Sequence, residues 1–295
     1  MDAPKNTGKQ AGLAALNLVF VLLILFGAQS LLRGHISKTV GLAILSLLVF
    51  GAYLLGYRFV ERRRPPELAG LISLKEFFGG LALGVTLFSA VIVVLWLLRV
   101  YHLEAIGTTS GLGAGALSAL LAATVEETLI RGFLFRIVQM LGGTWIAILI
   151  SSAFFGASHA FNPGATITSS IAIALEAGVL LAAAYVLTGR LWFPMGLHAG
   201  WNFSEGSLYG LSVSGFTAKN ALTHGLLQGP LILTGGAFGP EASIIAVILC
   251  LGTAVLLLWR AAKIGRIQPP LWSRHNPPVT LSSSTASESP GRPNS

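Results

Sequence analysis

The sequence predicts an all-α, polytopic membrane protein of about eight transmembrane helices surrounding a polar intramembrane cavity. Three observations carry that expectation. Nineteen Lys+Arg and eleven Asp+Glu make only 10% of the 295 residues charged, against about 25% in an ordinary soluble domain. Apolar residues reach 54% before the 35 glycines are counted, and mean hydropathy is +0.76. The apolar residues also fall in continuous runs near the ~20 residues that cross a bilayer. A soluble fold of this length has more surface than so few charges could cover. An ordinary soluble enzyme, a disordered chain and a free nucleic-acid binder are therefore excluded. The runs do not alternate with period two, which disfavours a transmembrane barrel.

Eight spans are expected in order: Leu13–Leu32, Val40–Tyr57, Phe77–Leu98, Leu112–Ile130, Trp145–Phe161, Ile167–Leu187, Leu191–Ser207 and Ser243–Arg260. The first follows Lys5 and Lys9 and resembles a signal peptide at its start, but its apolar run is long and a second span follows almost at once. The fourth and seventh are weak by hydropathy because they carry charges or histidine. Residues 1–12 read as a cytoplasmic N-terminal tail and 13–266 as one membrane domain. From Pro269 to Ser295 the composition turns to Ser, Pro and Asn without apolar periodicity, so 267–295 reads as a disordered tail. The stretch from about Leu208 to Ala242 is long and Gly-rich, suiting a re-entrant or capping segment.

Basic residues sort to the cytoplasmic face of membrane proteins. With the N-terminus inside, twelve Lys/Arg of the loops and span ends lie inside, and only Arg33, Lys38, Arg99 and Lys219 lie outside. Both termini are thus expected in the cytoplasm, in a cell (plasma) membrane. The net charge of +8 is accounted for by topology, without an anionic ligand. Glu61-Arg-Arg-Arg-Pro-Pro-Glu67 reads as a cytoplasmic anchor to lipid headgroups. The sole cysteine, Cys250, sits in an apolar run and reads as a buried structural thiol.

An ionisable group at the centre of a span costs roughly 2.5–3.5 kcal/mol on insertion scales and is usually functional. Here such groups concentrate between residues 126 and 202. In the fourth span, Glu127 and Arg131 are four residues apart, about 40° around a helix axis, and can pair on one face. Glu126 projects about 140° away from Arg131, which leaves it the carboxylate free for chemistry. The fifth span carries Phe155 and His159. The seventh carries His198 and Asn202, again four apart on one face, among the small residues Gly196, Ala199 and Gly200 that allow close helix approach. A carboxylate can act as general base, an imidazole can relay a proton, and an Asn amide or His N–H can donate to an oxyanion. Glu126, His159 and His198 are equally the donor types that ligate a divalent metal such as zinc. The soluble metalloprotease pattern H-E-x-x-H is absent. His35, His102, His224 and His275 fall in expected loops or tail and read as solvated.

Glu126-Glu127-x-x-x-Arg131, Phe155-x-x-x-His159 and His198-x-x-x-Asn202, in that order on three spans, resemble the CPBP intramembrane proteases. These are the type II CAAX prenyl endopeptidases and their Abi and bacteriocin-processing relatives. The likeness covers roughly 112–207. It implies an eight-helix fold with a polar cavity open toward the cytoplasm, hydrolysing peptide bonds of membrane-associated substrates such as prenylated CAAX or leader peptides. By position, Glu126 would activate water with help from His159, and His198 and Asn202 would stabilise the oxyanion. Glu127, Arg131 and Phe155 would support the site, Glu127 more directly. A metal is compatible with the same residues and so is a metal-free carboxylate mechanism. The implied partners are a peptide or membrane-protein substrate and the lipid bilayer, with no nucleic acid. Glu176 suits a cavity wall or a basic partner, Glu205 lies outside the motifs, and Glu241 reads as a loop cap or solvated group. Two other readings use the same buried Glu, His and Arg residues: a transporter or ion pathway, and a non-catalytic membrane scaffold.

Overall fold

The computed structural model describes residues 7–32, 38–68, 73–217 and 220–273. Helix dominates them, as the continuous apolar runs require of backbone that has no water to bond. The elements are α1 (Thr7–Leu32), α2 (Lys38–Phe59), α3 (Ser73–Leu97), strand β1 (Tyr101–Ile106), α4 (Leu112–Glu127), α5 (Arg136–Ser158), α6 (Ile167–Ile173), α7 (Val179–Thr188), α8 (Trp192–Phe203), strand β2 (Thr223–Leu227), α9 (Leu231–Thr234) and α10 (Ile244–Lys263). Wide π-helical turns join α4 to α5 (Thr128–Phe135) and α6 to α7 (Ala174–Gly178), and a third extends α8 (Ser204–Leu208).

Six helical stretches are long and apolar enough to cross a membrane. One of them, Thr109–Phe161, is bent at Gly143 (φ 75°), so it supplies both the fourth and the fifth expected spans. The seventh expected span is the helix through α8. Its polar side chains and modest length keep it outside the six. The fourth span runs on past Ile130, because Glu127 and Arg131 pair with each other and do not end the helix. Helix also begins at Thr7, so residues 7–12 are not a tail. Residues 267–273 are ordered too: Thr144 N–H donates to Gln268 O (2.9 Å) and Gln268 N–H to Thr144 Oγ1 (2.8 Å). Residues 274–295, with His275, lie outside the described set, as do Lys5, Arg33, His35 and Lys219.

The helices gather the connections at two ends. At the basic end, Arg136 holds Glu61 with two bonds of 2.8 and 2.6 Å, and Leu191 N–H donates to Glu67 O at 3.0 Å. Tyr53 and Tyr57 also donate to Glu67 Oε1. At the other end, β1 and β2 form an antiparallel pair with a bulge between Leu103 and Ala105. Gln228 N–H donates to Val100 O (2.9 Å), and Asn162 Nδ2 to Ser214 O (3.0 Å). The all-α expectation holds with this one short sheet, to which the Gly-rich stretch 208–242 contributes β2. Tyr, Leu and Ile at 101–106 suit a pleated surface, and the pair closes its backbone bonds outside the helices.

The closest packing fixes α8. Gly80 and Gly84 of α3 face Gly196 and Gly200 of α8, each pair four residues apart. A Cβ at Gly84 would strike the Leu197 carbonyl, and one at Gly200 the Leu81 carbonyl. Absent side chains let the two backbones touch, the small-residue packing that replaces the hydrophobic drive inside lipid. Phe88 of α3 then meets Trp201 of α8 edge-on at 5.0 Å. His198 and Asn202 ride on this rigid pair.

Candidate functional site

Glu126 and Glu127 end α4, where the π turn begins. Such turns are often found at functional sites because the extra residue re-aims the side chains around it. Arg131, inside that turn, donates from Nη1 to Glu127 Oε1 at 2.8 Å, with both side chains fully buried. Its Nη2 donates to Gly178 O at 3.1 Å, and its guanidinium lies 4.8 Å from the Phe155 ring centroid. The i,i+4 pairing read from the sequence is therefore present, and a backbone carbonyl and an aromatic face add to it, while Arg131 Nε and Glu127 Oε2 stay without a hydrogen-bond partner among the described residues.

Glu127 Oε1 has a second neighbour. His198 Nδ1 lies 3.0 Å away, so Glu127 links Arg131 to His198 across two helices. An ionised Glu127 accepts only, and it therefore calls for a proton on Nδ1. His159, closing α5, sets Nδ1 2.8 Å from Phe155 O, which also calls for N–H at Nδ1. Its Nε2 is left with a lone pair. Phe155 packs against His159 at 4.6 Å between ring centroids and against His198 at 6.1 Å.

Glu126 points away from this pair, as its helical position requires. Its Oε2 lies 3.9 Å from His159 Nε2 and 3.9 Å from His198 Nε2. That oxygen is buried and has no hydrogen-bond partner among the described residues, although the side chain as a whole is 34% exposed. Glu126, Glu127, Arg131, Phe155, His159 and His198 thus come together from three helices. Asn202 joins them by lining the same cavity as His159 and His198. Counted together with the open solvent at its mouth, that cavity has about 340 Å³ of empty space.

The spacing bears on the metal question. Ligands about 2.0–2.1 Å from one tetrahedral zinc stand roughly 3.3 Å apart. Both contacts of Glu126 are wider, and among the described residues no three His, Cys, Asp or Glu groups stand close enough to hold a metal ion. Glu126, His159 and His198 do not fit a shared zinc in this arrangement. The separation does suit a water bonded to two of them.

The cavity has walls the motifs do not contain. Glu176, Trp201, Ser214 and Glu241 line it, and Glu205 lies fully buried beside Glu241. Glu241 is 1% exposed, so the expectation of a cap or solvated group is corrected. Glycines 235, 236 and 239 have positive φ and turn the loop inward, which a run of glycines before a carboxylate could have signalled. His102 and His224 are exposed, as expected, but lie on β1 and β2. Cys250 is buried, as expected.

Fold and site together define a polytopic helical membrane protein with a buried carboxylate–histidine–asparagine centre. Residues 108–204, about a third of the chain, match the family model described as type II CAAX prenyl endopeptidase Rce1-like, and that segment is similar to the CPBP group of intramembrane proteases. Comparison with curated proteins and with solved structures finds no match.

Proposed function

We propose that the chain is an intramembrane endopeptidase in which Glu126 activates a water. The observation that carries this reading is Glu126 Oε2, buried without a partner and equally distant from two imidazole Nε2 atoms. A water between Glu126 and His159 donates one hydrogen to Oε2 and one to the free lone pair on His159 Nε2. Glu126 takes the proton as the oxygen attacks the scissile carbonyl. Glu126 then delivers that proton to the leaving amine. The oxyanion forms beside His198 and Asn202, which donate to it. With Nδ1–H held by Glu127, His198 donates from Nε2 only as imidazolium. Its charge and that of Arg131 balance the two carboxylates. Glu127, Arg131 and Phe155 act by positioning.

Membrane-associated peptides are the substrates in this reading, prenylated CAAX termini and leader peptides among them. The family match and the six apolar stretches support an integral membrane setting. The charge bias supports cytoplasmic termini in the cell membrane.

The test is Glu126→Gln in purified protein against a quenched lipidated peptide library. Cleavage is expected to fall by at least about 10²-fold with the melting temperature retained. Undiminished cleavage by a well-folded variant overturns the assignment. Protein stripped of metal by chelation is expected to cleave as before, and activity restored only by added zinc contradicts the water-only scheme.

A further inference from the structure

Resting on the peptidase reading, we infer that the cavity holds a subsite for a Lys or Arg side chain of the substrate, formed by Glu176 and Glu241 with Glu205 behind them. Glu176 reaches the cavity from the π turn between α6 and α7, and Glu241 from the loop before α10. Each of the three carboxyls is at most 1% exposed. Glu176 Oε1, Glu241 Oε1 and both oxygens of Glu205 make no hydrogen bond among the described residues, although the Cys250 thiol lies beside Glu176 and Ser214 beside Glu241. Glu205 lies beside Glu241. Both Nη atoms of Arg131 are engaged, by Glu127 and the Gly178 carbonyl.

Buried carboxylates without donors are rare, and each calls for a missing partner. A cation supplies it, and no metal-binding group forms among the described residues. The walls on the way to the carboxyls are apolar: Ile173, Leu180, Leu181 and Leu197. An aliphatic stem ending in a charged head matches such a channel, where a compact inorganic ion would not. Trp201 adds an independent sign of a ligand. It is 5% exposed, lines the same cavity, and its indole N–H has no acceptor among the described residues. A peptide carries the missing acceptor in its backbone carbonyl. His159 and His198 line the cavity as well, so the basic side chain would bind beside the scissile bond.

The experiment uses two pools of fluorescent palmitoylated heptapeptides, randomised at the flanking positions, with one fixed Lys or one fixed Gln. Binding to Glu126→Gln protein is read by anisotropy in zwitterionic detergent, which needs no turnover. The Lys pool is expected to bind at least about tenfold more tightly, the scale of a charge-assisted contact. Glu176→Gln or Glu241→Gln, added to that background, is expected to bring the Lys pool to the level of the Gln pool. Equal affinity for the two pools without the added variants overturns the subsite, and so does a Lys preference that survives both of them. Cleavage of either pool by the unaltered protein is read separately, so loss of the subsite and loss of the peptidase reading give different results.

Discussion

Glu127 is the residue on which the polar centre turns, since one of its oxygens meets both Arg131 and His198. Removing one member of a buried ion pair strands the other, at a cost of about 3–5 kcal/mol. Arg131→Met is therefore expected to lower the melting temperature in detergent more than the double variant Arg131→Met with Glu127→Gln. A double variant less stable than the single one would contradict this pairing. Much of this was legible in the sequence. Helical spacing alone separated the paired carboxylate from the free one, and put His198 and Asn202 on one face. The link from Glu127 to His198 was not legible, because it joins positions 71 residues apart and depends on how α4 and α8 pack. Glu241 was misread for a related reason: its environment is made by other segments, so its own neighbours do not disclose its burial.

The decisive contact between elements is that of α3 with α8. Gly84→Leu would push a side chain into the Leu197 carbonyl, one residue before His198. Overpacking of this kind costs about 1–3 kcal/mol or more. The variant is expected to lose thermal stability and cleavage together, whereas Gly113→Ala, at a glycine whose added Cβ meets no neighbour, is expected to keep both. The opposite ranking would sink the packing account. At the basic end, burial would raise the pKa of Glu61, but the guanidiniums of Arg136 and Arg63 hold it below the usual carboxylate range. Its stabilisation is therefore complete above the unfolded value of about 4.3 and is lost as pH falls through the lower folded value. Melting curves between pH 7 and 3 are expected to show a smaller acid-induced loss for Glu61→Gln. An unchanged loss would remove Glu61 from the explanation. Helix positions were readable from apolar runs, but the bend at Gly143 and the pairing of β1 with β2 were not. One glycine among 35 does not announce a bend, and strand partners more than a hundred residues apart leave no local period.

At the scale of the whole molecule, helix order puts the Arg-rich loop and the β1–β2 pair at opposite ends. The cavity lies toward the strand-pair end, and Ser214 and Glu241 from the 208–242 stretch line it. If charge bias sets the topology, that end faces away from the cytoplasm, contrary to the cytoplasmic opening the family resemblance implies. Single cysteines at Arg62 and Ser214, in a Cys250→Ala background, separate the two. Labelling of position 214 by an impermeant maleimide in intact cells, with position 62 protected, is the result expected from the charge bias. Protection at 214 with labelling at 62 reverses the topology. Composition alone had placed the chain in a bilayer, and three short motifs had marked its centre, because charge is so scarce elsewhere. The claim beneath all of this is that Glu126 drives hydrolysis of peptide bonds. Comparing new peptide termini in membranes containing the unaltered protein and its Glu126→Gln variant, at equal abundance, tests it most directly. Termini present only with the unaltered protein are the expected result, and identical sets of termini would contradict it.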